Sequence, residues 1–478
     1  MTSAWSLHIP SDLMARLERH LFPGDGDEHG AVIAAGMAVS PRGSRLLARH
    51  VVLARDGIDY VPGKRGYRML TASFVTENIL RCASDRLVYL AIHCHGGSDE
   101  VGFSGDDLAS HERGYPALLD LADGLPVGGL VFAQNALAGD IWLPGGRRVD
   151  LACGRVVDRP IRVLQPGPSR PVSGDPTYDR QARLFGDRGQ ELLRRQKVGI
   201  IGAGGAGSLI VEYLARLGVG HLVVADPERI ELSNMPRVVD STRQDAMAWL
   251  TAPNRPGPLR QLGGRLSRRK TAISARVARK ANHRGRVETV TGDIADATVT
   301  ERFTDCDFLF LAADSMRARL VFNALVHQYL IPGAQVGAKV TIDKETGEVV
   351  DVFSVYRPVF PGSGCLWCNE LISPARLQEE ALSDTERRQQ RYVDEATIRA
   401  PSVITLNAVA TAHSVDDYLF SLTGLLKPGT SNAYRRFLPR ESEFMLDEPR
   451  KDPECIECGS GPQGRLGLGG AKRLPTRS

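Results

Sequence analysis

Residues 93–107 read HCHGGSDEVGFSGDD: two histidines separated by one residue, a glycine turn, Ser104 and Asp107. Alternate residues of a strand project to the same side, so His93 and His95 can share a face. The turn brings the chain back, and Asp107 stands where the next helical pattern starts. Two imidazoles and a carboxylate form a zinc ligand set with its fourth position open, as a hydrolytic centre requires. Zinc lowers the pKa of water held in that position to about 7. A base must then take the proton, and Glu28, ahead of the apolar run AVIAAGMAV, is the candidate. Ser104 is a candidate donor to the oxyanion formed on attack. HxH alone is also met as ordinary hydrogen bonding at a strand end. The SxxD and the Glu together single out a metal.

This order of residues, Glu before a glycine-containing apolar strand, then HxH, then SxxD, resembles the JAMM (MPN+/JAB) metalloproteases over residues 1–150. The resemblance implies a JAB-like α/β domain. It would cleave peptide or isopeptide bonds after the C-terminal glycine of ubiquitin-like proteins. It also implies Glu28 as base, His93, His95 and Asp107 as ligands of a catalytic Zn2+, and Ser104 as oxyanion donor. One departure is Gly96, which stands where the family carries Pro after the second histidine. Cys94 points to the other side of the strand and belongs to the core.

A second set of residues begins at VGIIGAGGAG (198–207), where Gly202, Gly204, Gly205 and Gly207 join an apolar strand to a helix. Glycines there permit a tight turn and close approach of backbone to phosphate at a helix N-terminus. Asp226 ends the following strand, where an acid binds ribose hydroxyls. That much fits any nucleotide, NAD included. Asn234, Arg237, Lys270 and Asp314 argue for a triphosphate instead: cations stabilise charge developing on phosphate, and a strand-end aspartate holds magnesium.

The stretches YDRQARLFGDRGQELLRRQKVGIIGAGGAG, DPERIELSNMPR, RRKTAISARVARKAN and LAADSMRARLVFNALV, in that order, resemble the ThiF/MoeB family, the adenylating core of ubiquitin-activating enzymes. The resemblance spans residues 176–460. It implies ATP and Mg2+, with Asp226 on the ribose, Asn234, Arg237 and Lys270 on the phosphates, and Asp314 on magnesium. Arg180 would be an arginine finger reaching the partner subunit's site in a homodimer. The implied reaction joins a C-terminal glycine carboxylate to the α-phosphate of ATP and releases pyrophosphate. Two departures are the long spacer 243–269 and the absence of cysteine between Cys368 and Cys455. Thioester-forming relatives carry a cysteine in that interval. Cys153 and Cys306 sit by apolar strands and are poor substitutes.

The pairs CLWC (Cys365, Cys368) and CIEC (Cys455, Cys458) offer four thiolates for a closed, structural zinc. A redox role is the competing reading. The family resemblance favours zinc, which would tie the C-terminal segment back to the adenylation domain.

The elements that must position these groups alternate between short apolar strands and amphipathic helices, which predicts α/β folds, the second a Rossmann-like doubly wound sheet. Strands are expected at 31–39, 86–95, 128–134, 197–202, 221–226, 287–293 and 307–314. Helices are expected at 107–124, 206–218 and 270–282. The expected domains are 1–160 and 178–458, joined by a Pro/Gly/Ser-rich linker over 161–177, with 243–269 a mobile loop and 459–478 a disordered tail. The stretch GRLGLGG in that tail also resembles a diglycine end, which raises the idea that it occupies the His93–Asp107 groove. At 478 residues, a formal charge of +4 is small and argues against a nucleic-acid coat. No apolar run is long enough to span a membrane. Eight cysteines, four of them in CxxC pairs, point to a cytoplasmic location. Taken together, the residues predict a peptidase and an adenylyltransferase acting on one ubiquitin-like or sulfur-carrier protein ending in Gly-Gly. A conjugating enzyme is a further expected partner. Sulfur-carrier activation, for cofactor or cysteine biosynthesis, and a non-catalytic scaffold are the alternatives.

Overall fold

Strand β2 (Gly30–Ser40) is buried along Gly30–Gly36, so both of its faces must be covered. Its side chains divide by parity. Ala31, Ile33 and Ala35 enter one apolar cluster, and Val32 and Ala34 enter another. Helix α1 (Ser11–Leu21) closes the first with Leu13, Met14, Leu17 and Leu21. Helix α2 (Ala72–Ser84), capped by Thr71, closes the second with Phe74, Ile79 and Cys82. Helix α3 (Gly105–Leu121) adds Tyr115 to it.

These elements come from a computed structural model, which describes residues 4–62, 68–169, 171–343, 345–381 and 401–477. The chain divides into two compact units. The first is Met1–Pro171 with His327–Leu330 and Ile456–Arg473; the second is Val172–Val326 with Ile331–Cys455 and Leu474–Ser478.

The first unit holds an eight-stranded mixed sheet in the order β1-β3-β2-β4-β5-β6-β7-β8. Its other strands are β1 (Trp5–Pro10), β3 (Gly43–Leu53), β4 (Val88–Cys94), β5 (Val127–Phe132), β6 (Leu137–Trp142), β7 (Arg148–Val157) and β8 (Arg162–Leu164). β1 also pairs with β7. The linker expected over 161–177 therefore begins with a strand, since β8 pairs with β7 from Gly154↔Leu164 onward.

The second unit holds another eight-stranded sheet, in the order β11-β10-β9-β12-β13-β14-β15-β16. Strands β9 (Lys197–Ile201), β10 (His221–Ala225), β11 (Arg286–Val290), β12 (Phe308–Leu311) and β13 (Gly333–Ile342) run parallel. β14 (Val349–Val359), β15 (Tyr434–Leu438) and β16 (Glu443–Asp447) extend the sheet antiparallel. The order reverses at β9 and β12, the switch point where such sheets bind ligands. Every residue of β9 and β12 is buried, as central parallel strands require. Truncating Phe310 of β12 to Ala would cost about 3–5 kcal/mol.

The helices of the second unit are α4 (Asp179–Arg195), α5 (Gly205–Arg216), α6 (Ala248–Thr251), α7 (Gly257–Leu266), α8 (Lys270–Ala281), α9 (Ala297–Thr300), α10 (Met316–Gln328, ending in the first unit), α11 (Pro374–Ala381) and α12 (Ile404–Thr423). The spacer 243–269, expected as a mobile loop, folds into α6 and α7. Arg276 of α8 pins its entry by bonding Asp240 and Asp245. Among the described residues, no helix is long and apolar enough to cross a membrane.

The segment expected as a disordered tail is packed. Leu466 is buried with Ala38, Leu47 and Leu330. Gly470 N–H donates to the Met37 carbonyl at 2.9 Å, and a Cβ at Gly36 would lie 2.0 Å from the Gly467 carbonyl oxygen. Composition reads glycine as freedom; here glycine allows two backbones to touch. The segment bridges β2 at Met37, whereas His93 is in register with Gly30. At about 3.3 Å per residue these points lie roughly 20 Å apart. The tail therefore does not occupy the His93–Asp107 groove.

Candidate functional site

His93 lies at the end of β4 and His95 directly after it, and Asp107 stands in the first turn of α3. Ser104 caps that helix: its hydroxyl accepts from Asp107 N–H at 3.2 Å and donates to Asp107 Oδ2 at 2.7 Å. This box turns the carboxylate toward the histidines. His93 Nε2 and His95 Nε2 are 3.2 Å apart, and they lie 3.5 and 3.4 Å from the Asp107 oxygens. Tetrahedral ligands about 2.0–2.1 Å from a zinc would sit roughly 3.3–3.4 Å from one another, so the three residues fit the metal. His95 Nδ1 lies 3.1 Å from the Gly102 carbonyl, which assigns that nitrogen the proton and leaves Nε2 to a metal.

Glu28 Oε1 is 3.8 Å from His95 Nε2. Burial raises the Glu28 pKa against the pull of His95 and His93. For Asp107, burial acts upward but is outweighed by hydrogen bonds from His93 and Ser104, which hold the carboxyl well below its usual range. Cys94 is buried in the core, as its parity requires. Sequence reasoning missed His111, one turn beyond Asp107. It is buried, bonds Asp140 at 2.9 Å through Nδ1 and stacks on Tyr115. Its i+4 spacing from Asp107 on the same helix was the available signal.

In the second unit, the C-terminal ends of β9, β10 and β12 meet. Gly202 N–H donates to Ala225 O, and Ala312 N–H to Ile201 O. Gly202 has φ 97, open to glycine alone without strain. A Cβ at Gly207 would lie 1.9 Å from Gly202 O, so helix and strand can meet only if that residue is glycine. Gly204 caps α5 without a side chain, and Gly205 opens the helix. The first amides of α5 are thereby presented to an anion. Asp226 accepts from Ala203 N–H at 2.7 Å and Glu228 N–H at 2.8 Å. Burial raises its pKa against those bonds and Lys270.

Lys270 is buried and pairs with Glu228. Asn234 Oδ1 accepts from Glu231 N–H at 3.3 Å, and Arg237 donates to Ser233 O at 2.8 Å. The Arg237 side chain reaches the glycine loop, since a Cβ at Gly205 would be 3.3 Å from its Cδ. Asp314, beyond the end of β12, is exposed. Arg180, in the first turn of α4, is exposed and forms no ion pair among the described residues. Sequence reasoning missed Asn407 of α12, buried with its amide 2.5 Å from a Cβ built at Gly205. A lone Asn in the apolar run ITLNAVATA was the only signal. The cysteine-free interval is described except for 382–400, which lies outside the described residues.

Cys365 and Cys368 Sγ are 3.6 Å apart, and Cys365 and Cys455 Sγ are 3.8 Å apart. With Cys458, all four sulfurs lie within 4.8 Å of one another. Zinc–thiolate bonds of about 2.3 Å place tetrahedral sulfurs roughly 3.8 Å apart. A disulfide needs about 2.05 Å, so these are four thiols suited to one metal.

The ThiF family profile matches residues 178–456, more than half of the chain. The chain belongs to the ThiF family. It is 43% identical over 70 residues to a sulfur carrier protein adenylyltransferase of Thermus thermophilus, which covers 14% of this chain and 26% of that protein. It is 30% identical over 216 residues to the sulfur carrier protein ThiS adenylyltransferase of Bacillus subtilis, covering 44% of this chain and 59% of that one. The chain thus spans less than two thirds of either relative. It is also similar to E. coli MccB, solved with succinimide, at 19% identity and a TM-score of 0.43 over 60% of this chain and 75% of the other.

Proposed function

We propose that this ThiF-family chain adenylates the C-terminal glycine of a small ubiquitin-like protein of the sulfur-carrier kind, and that its first unit is a zinc hydrolase acting on the same type of end. The observation carrying the first half is the glycine loop under a bare helix N-terminus, with Lys270, Arg237 and Asp226 around it. The glycine carboxylate oxygen attacks the α-phosphorus of ATP. A new P–O bond forms, the bond to the bridging oxygen breaks, and pyrophosphate leaves with the electron pair. The loop amides orient the phosphates, and Lys270 and Arg237 offset the charge gathered on them. Asp226 would hold the ribose, and Asp314 would hold the magnesium that accompanies the triphosphate. Arg180 extends toward a partner copy's site in a homodimer. The relatives are by name adenylyltransferases of sulfur carriers. The lack of cysteine between Cys368 and Cys455 favours handing the adenylate to a sulfur donor over forming a thioester.

In the first unit His93, His95 and Asp107 would hold the catalytic zinc, which supplies an acidified water and polarises a carbonyl. Glu28, its pKa raised by burial, would be the group that accepts a proton from water and returns it to the leaving amine. Ser104 would meet the oxyanion on release from Asp107, whose Oδ2 accepts from both its N–H and its hydroxyl at 2.7 Å. The four cysteines would hold a second, structural zinc. Trimming a precursor would expose the glycine that the second unit activates, and tethering raises its local concentration there.

ATP–pyrophosphate exchange measured with a diglycine-ended carrier tests the first activity, and cleavage of that carrier extended beyond its glycine tests the second. Mass spectrometry of the carrier then separates a thiocarboxylate from a protein conjugate. No exchange with any such carrier, in protein containing two zinc ions, would overturn the adenylation reading.

A further inference from the structure

β1 pairs with β3 only from Ser44 to Leu47. Beyond that register the outer edge of β3 opens on a cavity of about 250 Å³. Arg49, His50 and Val52 of β3, Leu13 and Arg16 of α1, and Asn78 and Arg81 of α2 line it, with Ser460 from the packed C-terminal segment. Three arginines and a histidine thus line it beside one acidic residue, Asp85.

Arg49 is only 5% exposed. It donates to the carbonyls of Gly461 and Gly464, and to that of Leu466. No carboxylate pairs with it among the described residues. Burial pushes its pKa down, only weakly opposed by Asp85. His50 is pushed down likewise, first by burial and then by Arg49 and Arg81. Arg16 and Arg81 are exposed at the rim, and their side chains have no hydrogen-bond or ion-pair partner among the described residues. Carbonyl dipoles hold Arg49 in place, but they leave a full positive charge in a confined space, where an uncompensated ion is costly. The cavity is smaller than the roughly 300–1,000 Å³ of drug-sized sites, so its occupant is small. Guanidinium forks match the oxygens of a tetrahedral phosphoryl group.

We propose that this cavity binds a phosphoryl oxyanion, and that the bound anion locks the segment Ile456–Arg473 onto β3 through Arg49. The site is separate from both candidate active centres and does not depend on their reading. Free phosphate, pyrophosphate and the monophosphate end of a nucleotide share this chemistry.

The test is hydrogen exchange of the 456–473 peptides in the full chain, titrated separately with inorganic phosphate, pyrophosphate and AMP. A Lys270→Ala background is used so that binding at the glycine loop does not contribute. At saturation the effective anion should slow exchange of this segment at least three-fold. Arg16→Gln with Arg81→Gln, both exposed and safe for folding, should raise the concentration needed at least ten-fold. Arg49→Lys keeps the charge and loses the fork, and should weaken the response similarly. Whichever of the three anions acts at the lowest concentration identifies the source. Equal slowing by sodium chloride at matched ionic strength, no slowing by any of the three, or unchanged midpoints in the variants would each overturn the proposal.

Discussion

His93, His95 and Asp107 would act through side chains, whose nitrogen and oxygen atoms stand 3.2–3.5 Å apart. The loop from Gly202 to Gly207 would act by having none: a Cβ at Gly207 would lie 1.9 Å from a carbonyl oxygen. The first centre, as proposed, would concentrate charge at a point, so it would depend on which atoms are present. The second, as proposed, would wrap a polyanion in backbone amides, so it would depend on which atoms are absent. The two should accordingly fail in different ways, and each should fail without the other.

The largest effect is expected from Lys270→Ala. Removing a preorganised cation should lower ATP–pyrophosphate exchange by about 10²–10³-fold. Carrier cleavage and zinc content should be untouched, and exchange within ten-fold of the parent would show that Lys270 does not serve the phosphates. Next comes His95→Ala, which should weaken metal binding by roughly 10²-fold or more and abolish cleavage. Metal analysis by mass spectrometry should then find one zinc per chain, the four-cysteine site, in place of two. Loss of both ions would mean the centres are not independent. Gly207→Ala should destabilise the second unit by about 1–3 kcal/mol through overpacking. Its thermal transition and nucleotide affinity should fall together, while the metal content stays at two.

The smallest effect concerns Asp245, which pins the spacer to Arg276. Burial acts upward on its pKa, but Arg276 and Thr242 win and bring it from 3.8 to about 2. The folded value is depressed, so the stabilisation is present above the unfolded value near 3.8 and is lost as pH falls toward about 2. Asp245→Asn should cost roughly 1 kcal/mol at neutral pH, since Arg276 keeps its bond to Asp240. It should also flatten the acid limb of the unfolding curve and speed exchange in α6 and α7. An acid limb identical to the parent's would remove this pair from the account of the spacer.

Much of this layout was legible in advance because it rests on local rules. The strands at 31–39 and 221–226 and the helix opening at Lys270 follow from apolar period and chain punctuation. The HxH…SxxD set was legible for the same reason, since strand parity and a helix cap bring its members together within one short stretch. Asn407 was not legible. It lies far from the glycine loop along the chain, and nothing in ITLNAVATA says that α12 packs against Gly205. The spacer 243–269 was misread because its proline and glycine content signals a loop. The ion pairs from Arg276 that hold it come from another element.

The sequence by itself determined the identity and order of the chemical groups: the histidine pair with its aspartate, the glycine loop with its cations, and the two cysteine pairs. Within each motif the members are only a few to some fifteen residues apart, spacings that backbone geometry converts directly into positions. Only the tertiary structure decided that GRLGLGG is a packed segment held at β2 and β3, remote from His93, and that Arg49 is buried among its carbonyls. Such contacts join residues from opposite ends of the chain. They form because buried surface and satisfied hydrogen bonds outweigh the entropy of holding a glycine-rich segment still, a balance that composition alone does not contain.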